Sequence, residues 1–417
     1  MKIAIIGSGI SGLVSAYYLC KSHEITIFEA NSHLGGHTHT HDITLGQKDY
    51  SVDSGFIVFN DWTYPNFIAL LNELGVESQP SAMSFSVKCQ RTGLEYNGTT
   101  LNSLFAQRRN IFKPSFIRMI LDIMRFNKQA PALIATENDQ ITLGEYLSIN
   151  RYSSAFIDYY ILPMGAAIWS TNPEQMLNFP ARYFVRFFYN HGFLNIDNRP
   201  VWRVVKGGSK RYVEALTNRF IGQIHNNMPI QQVTRLPGGV CVKPFNDENL
   251  MFDAVIFACH SDQALSMLTD ASSAERDILG VIPYQENEAI LHTDSSLLPR
   301  KRLAWAAWNY LIPQAKKDSV ALTYNMNILQ SLDAPETVCV SLNQTGNIDE
   351  NLIIKRITYH HPLYTPAGIA AQLRPGEISG VNNTYYCGAY WGFGFHEDGV
   401  NSGLRVVKQI EGGISHA

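Results

Sequence analysis

The chain has 417 residues, 45% of them apolar, and a formal net charge of −3. Such a length and apolar content can bury a large core and favour two or more domains, while the charge balance gives no global attraction to nucleic acid. Six scattered cysteines without a Cys-x-x-Cys pair argue against a structural zinc site and a disulfide framework, and suit a cytoplasmic protein.

Lys2-Ile-Ala-Ile-Ile6 is an apolar run of the kind that forms a strand buried on both faces. It feeds Gly7-Ser-Gly9-Ile10-Ser11-Gly12, after which Leu13 to Cys20 continues at helical spacing. A second strand, Glu24 to Phe28, ends at Glu29, with Ala30 beyond it. Strand, glycine turn, helix, strand and acid in that order make a dinucleotide-binding fingerprint. Gly7 permits the tight turn, Gly9 lets a pyrophosphate approach the backbone, and Gly12 lets helix and strand pack closely. The helix N-terminus offers free N–H groups to the phosphates, and Glu29 accepts from the ribose while disfavouring a 2′-phosphate. Met1 to Ile10 is too short for a signal peptide, and no stretch approaches 18 uncharged apolar residues, so no spanning helix is expected.

Further along come Gly35-Gly36, then His37, His39 and His41 in alternation, then Asp53-Ser-Gly55-Phe56. The alternating histidines resemble a metal ligand set, but beside a phosphate loop they read as shell and surface groups, and no metal is expected. Strand signals appear at Ser84 to Cys89, and helical runs dominate from Leu101 to Phe188. Within that region, Gln107 to Lys128 carries Arg108, Arg109, Lys113, Arg118, Arg125 and Lys128 against the single acid Asp122. Pro114 suits a helix start. Phe116, Ile117, Met119, Ile120, Leu121, Ile123 and Met124 then form a wide apolar arc, with Arg118, Asp122 and Arg125 on a narrow polar strip. Two readings stand: a cap helix packing its apolar side on a sheet, or a basic amphipathic helix lying in an anionic membrane surface.

Trp202 to Gly208 precedes a helix from about Ser209 to Phe220, and Ile230 to Arg235 and Val240 to Lys243 read as strands around Pro237-Gly-Gly239. Phe252 to Ala258 reads as one more buried strand. Asn287 to Asp294 and Val320 to Met326 are strands of a second region. No second glycine fingerprint follows a strand, so a dedicated NAD(P)H domain is not expected.

Near the C-terminus stands Tyr385-Tyr-Cys-Gly388-Ala-Tyr390-Trp391-Gly-Phe-Gly-Phe-His396-Glu-Asp398-Gly399-Val400-Asn-Ser-Gly403. Together with the N-terminal motifs it resembles the flavin amine oxidase superfamily, which includes protoporphyrinogen oxidase and the phytoene desaturases. The resemblance implies an α/β fold: a Rossmann-like, doubly wound FAD-binding domain from residues 1–60, 201–280 and 381–417. An α+β substrate or cap domain would come from residues 61–200 and 281–380. It implies FAD with its ADP half on the first glycine motif, Gly35, Gly36 and His37 near the pyrophosphate and flavin, and Gly55 and Phe56 beside them. Val233 would contact adenine, and Gly388, Asp398, Gly399 and Val400 would lie along the ribityl chain and flavin. The last helix would aim its N-terminus at the ring, where it stabilises negative charge.

Three departures bear on chemistry. His37 stands where many relatives have arginine. Tyr359 to Pro366 lacks the cysteine used for covalent attachment, so FAD is expected to be non-covalent. His396 takes the place of a cage tyrosine, and the strand expected to carry the family lysine offers Glu288 and His292. Several phrases, Arg186 to Gly192 and His360-His-Pro362 among them, look like a bacterial subfamily associated with cyclopropane-fatty-acid-synthase-like methyltransferases, at least some of whose members desaturate methyl-branched acyl chains. The expected activity is dehydrogenation of an apolar, lipid acyl substrate by hydride transfer to flavin. His396, His292 and Glu288 are the candidate bases, and Trp308, Tyr310, Tyr390 and Trp391 the pocket walls. An oxidase of a small amine and a flavin-bearing structural partner of a lipid methyltransferase are the alternatives. The expected location is the cytoplasm, with peripheral contact at the inner membrane face through residues 107–128.

Overall fold

The computed structural model describes residues 1–136, 141–315 and 319–414. Its first strand, Lys2–Ile6, is central in a five-stranded, wholly parallel sheet whose order is 223–225, 24–28, 2–6, 254–257, 384–386. Ile3, Ala4 and Ile5 are fully buried because helices cover one face and a small antiparallel sheet covers the other. This is the Rossmann-like architecture that the fingerprint required. The chain leaves this sheet after Phe28, returns at Gln223, leaves again after Phe257 and returns at Thr384.

The predicted strand Phe252 to Ala258 is two strands. Leu250–Phe252 closes the antiparallel sheet formed with Ile230–Leu236 and Gly239–Pro244, and Ala254–Phe257 joins the parallel one. Asp253 makes the change of sheet, since its N–H donates to the Lys2 carbonyl and its carboxylate accepts from the Lys2 N–H at 2.7 Å. Periodicity alone does not reveal such a handover.

The excursions build a seven-stranded mixed sheet in the order 353–362, 284–292, 339–342, 322–325, 308–312, 85–89, 95–97. Helices between Leu101 and Asn190 pack on one of its faces and share a single core with it. In strand Tyr284–His292, Ala289 and Leu291 enter that core, whereas Ile290 belongs to a small cluster with Leu297 and Ile348 on the opposite face.

One carboxylate ties the parts together. Asp53, fully buried at the end of the hairpin 40–45/48–53, accepts from Ser209 N–H (2.9 Å) and Ser209 Oγ (2.8 Å) at the start of helix Lys210–Arg219. It also accepts from Thr40 Oγ1 and from Gln330 Nε2 at 2.9 Å, while its own N–H donates to Gln330 Oε1. Burial pushes its carboxyl up to about 6 against the pull of these donors. Replacing Asp53 by alanine strands several buried donors at once, and is expected to lower the unfolding free energy by about 3 kcal/mol, measurable by urea denaturation.

Candidate active site

The fingerprint folds as its glycines dictate. Gly7 has φ +106°, and a Cβ there would stand 2.8 Å from the Ala258 carbonyl oxygen. A Cβ on Gly12 would stand 2.2 Å from the Gly7 carbonyl oxygen, so helix and turn touch backbone to backbone. Gly9, the residue before helix Ile10–Leu19, has no side-chain cap, and nothing lies within 4 Å of where its Cβ would be. The first N–H groups of the helix, on Ile10, Ser11 and Gly12, thus open on a cradle. Gly35 N–H donates to the Ser8 carbonyl (3.0 Å), bringing Gly35 and Gly36 against the turn. Glu29 is buried with its carboxylate held by Ser8 N–H and Oγ (3.0 and 2.6 Å) and by Asn31 N–H (2.9 Å), and Ala30 follows it at the surface.

The C-terminal motif reaches the same place. Helix His396–Ile414 crosses the first helix so closely that a Cβ on Gly399 would stand 2.6 Å from Ile10 Cγ2. Val400 is buried in the same core, and Gly388 N–H donates to Ser402 Oγ at 2.8 Å. Gly7 to Gly12, Gly35, Gly36, Gly388, Asp398, Gly399 and Val400 therefore converge at the carboxyl ends of the parallel strands, where open α/β sheets bind ligands.

Gly55 lies under the His37 carbonyl, to which Phe56 N–H donates at 2.8 Å. Phe56 stacks on His396 with centroids 3.4 Å apart. His396 Nε2 lies 2.8 Å from Tyr212 OH and 3.0 Å from Thr38 Oγ1. Loss of hydration drives its pKa well below the ordinary imidazole range. It is a wedged, neutral ring at the helix start, and as a base it would have to take up charge where burial opposes it.

Glu288 and His292 are not brought to the site. Both lie on the face of strand 284–292 opposite Ala289 and Leu291. Glu288 is held by Thr345 and Arg356, and His292 by Ser341 Oγ at 2.8 Å. Alternation instead turns Asn287 inward, where its Nδ2 lies 3.0 Å from His361 Nδ1. His361, Tyr359 and His260 surround His37 with centroids 5.4, 5.1 and 6.0 Å from it. Loss of hydration pushes His37, His260 and His361 down to about 4, 3 and 3, so all three are neutral. Sequence reading missed Asn287 and His260, although His260 follows directly on a parallel strand adjoining the first. His39 and His41 point elsewhere: His39 stacks on His33 at 4.0 Å, and the His41 ring lies tilted against His39 at 4.1 Å.

Val233 is buried in the antiparallel sheet with its carbonyl taken by Thr269 N–H (3.1 Å). Asn227 and Met228 hydrogen-bond to the Asn31 and Glu29 carbonyls, and Val233 packs in the core that holds Ile6 and Phe28. The four expected pocket aromatics also part company. Trp308 and Tyr310 belong to the seven-stranded sheet's core, whereas Tyr390 and Trp391 pack beneath the parallel sheet, since their turn follows its last strand.

At the N-terminus of the last helix lies a cavity of about 710 Å³, with Trp62, Asn66, His191, Phe393, Phe395 and Asp398 among its walls. Burial pushes Asp398 up to about 7, against the pull of backbone N–H groups such as that of Phe395 at 3.0 Å. His191, buried and stacked on Phe187 at 3.9 Å, is held neutral at about 4.

The residues fit FAD. The cradle at Gly9 is open, and three buried polar atoms on residues flanking it and the C-terminal motif (His37 Nε2, Tyr390 OH and Trp391 Nε1) have no partner within the protein. Such atoms call for a polar ligand. Fold and site define an FAD-dependent oxidoreductase. The chain matches the flavin containing amine oxidoreductases over residues 10–300 and belongs to that family. It is 35% identical over 103 residues to tryptophan 2-monooxygenase of Allorhizobium ampelinum, a match spanning 24% of this chain but only 14% of that relative's length. Cyclohexylamine oxidase from Brevibacterium oxydans IH-35A has the same fold, with a TM-score of 0.73 at 14% identity over 100% of this chain and 99% of that one. So does a CLA-producing fatty acid isomerase from P. acnes, with a TM-score of 0.71 at 17% identity over 98% of both chains.

Gly12→Ala is expected to weaken FAD binding by about tenfold to a hundredfold, the equivalent of the roughly 1–3 kcal/mol that overpacking costs. Flavin retained through gel filtration measures it.

Proposed function

We propose that this flavoprotein dehydrogenates an apolar acyl chain, with Asp398 receiving the substrate's proton. The observation that supports this reading is the character of the site. Its cavity has Phe393, Phe395 and Trp62 in its walls beside the polar Asn66, Asn401 and Glu397, and its imidazoles, His191 there and His37, His260 and His361 at the sheet junction, are held neutral by burial. An apolar chain can lie along the aromatic walls, and neutral imidazoles offer a cationic substrate no counter-charge. That this fold also houses a fatty acid isomerase agrees with an acyl occupant.

FAD, when bound, supplies the two-electron acceptor. The protein's own contribution is geometric and electrostatic. Gly9 and the first helix would hold the phosphates, Glu29 would hold the ribose end, and the N-terminus of helix His396–Ile414 would supply partial positive charge to the flavin. His396, braced by Phe56, Tyr212 and Thr38, fixes where that helix begins. The stretch expected to bear a linking cysteine, Tyr359 to Pro366, has none, so the cofactor is held non-covalently. Asp398, with a pKa near 7, can both accept and release a proton at neutral pH.

Oxidation of a small amine is the second reading, favoured by the named activities of the tryptophan 2-monooxygenase and cyclohexylamine oxidase relatives. The two separate cleanly. Without oxygen, methyl-branched phospholipid is expected to bleach the flavin band near about 450 nm and small amines to leave it. Bleaching by amines alone would overturn the acyl reading. A base must be ionised to act, so the bleaching rate is expected to rise with pH through about 7. Asp398→Asn should remove that limb and slow bleaching by about 10²–10⁴-fold, read by stopped-flow absorbance.

A further inference from the structure

Helix Pro114–Gln129 buries an acid within its apolar face. Its polar strip is divided, with Asp122 and part of Arg125 turned inward and Arg118 at the surface. Asp122 is 1% exposed and accepts from Ser153 N–H at 3.0 Å. The Arg125 guanidinium pairs with Asp122 at 2.9 Å, lies 4.1 Å from the centroid of the Tyr152 ring, and donates to the carbonyls of Asn150 and Arg151. These bonds set the rotation of the helix about its axis. Phe116, Met119 and Phe126 then face the core with Ile120 and Ile123 packed beside them, and Leu121 and Met124 are left outside. Leu121 is 55% exposed and Met124 52%. In the turn just before the helix, Ile111 is 47% exposed and Phe112 85%. At 100° per residue, Ile117, Leu121 and Met124 share one outward stripe with Lys128.

The charge around this stripe has one sign. Residues 101–128 hold six basic residues and one acid. That acid is already engaged by Arg118 and Arg125. Arg108 bonds only neutral groups of Asn102 and Phe105, and Arg109, Lys113 and Lys128 form no ion pair among the described residues. In a chain of net charge −3 this is a local cationic patch wrapped around exposed hydrocarbon. No helix among the described residues is long and apolar enough to cross a membrane.

We propose that residues 108–128 form a docking surface for an anionic lipid bilayer, with Phe112, Leu121 and Met124 entering the interface and Arg108, Arg109, Lys113 and Lys128 meeting the headgroups. A protein partner would need acidic groups around an apolar groove. A bilayer with anionic lipid offers both features over any area, and it matches a convex stripe ringed by cations. The surface does not depend on which substrate the flavin site takes.

Flotation of the FAD-loaded full-length chain tests it. With vesicles of phosphatidylglycerol and phosphatidylcholine at low salt, the protein is expected to float. With pure phosphatidylcholine, or at about 0.5 M salt, most of the binding should be lost. Lys113→Glu with Lys128→Glu should lower partitioning more than tenfold, since each basic residue near the surface is worth about fivefold. Phe112→Asp with Leu121→Asp should abolish flotation while the flavin spectrum stays intact, because both side chains are exposed. The proposal is overturned if the parent stays with the solution phase in low salt, or if the Asp double variant floats like the parent. It is equally overturned if the parent sediments as a dimer that this variant dissociates and neither form binds vesicles, which would assign the face to a second copy of the chain.

Discussion

The crossing of the first and last helices is the contact on which the site depends. Ile10 and Ser11 press against Gly399 and Gly403 with no room for a Cβ at either glycine. Nearly four hundred residues separate these segments, yet their close contact lets the glycine turn and the N-terminus of the last helix share one end of one sheet. Any side chain at Gly399 or Gly403 would part the helices and split the two halves of the cofactor site. Asp53 performs a related task at the second joint, binding the hairpin, the helix after Gly208 and the loop at Gln330 through one buried carboxylate.

Electrostatics at the junction of the two sheets is unusual in a consistent direction. Histidines are concentrated there, and desolvation holds them neutral, so the site is polar without being charged. A neutral imidazole can orient and hydrogen-bond without attracting counter-ions or water. Asp398 differs from them, since burial moves its pKa up toward neutrality. The imidazoles shape the site, and the carboxylate titrates.

Much of the nucleotide end was legible because its signals are local. Gly7, Gly9 and Gly12 act within one turn, Glu29 ends the next strand, and their roles rest on φ angles and close approaches that no distant residue alters. The C-terminal motif was legible for the same reason. The substrate side was not. Glu288 and His292 were one residue out of phase with the face that matters, and only the pairing of strand 284–292 with its neighbours selects Asn287, Ala289 and Leu291 as the inward set. Trp308 and Trp391 are chemically alike, and which core each joins is set by the sheet its segment enters.

Helix 114–129 draws the line most clearly. Its amphipathic pattern, basic excess and start at Pro114 are properties of the sequence by itself, as are the dinucleotide fingerprint and the alternating strands. Which side of that helix faces out is not, because an apolar arc and a polar strip can each be buried if partners exist. Ser153, Tyr152 and the carbonyls of Asn150 and Arg151 supply those partners to Asp122 and Arg125, and they come from a different element. Sequence therefore determined the local elements, whose energetics are short-ranged. Tertiary structure decided their orientation, since a buried polar group settles wherever distant hydrogen bonds can satisfy it.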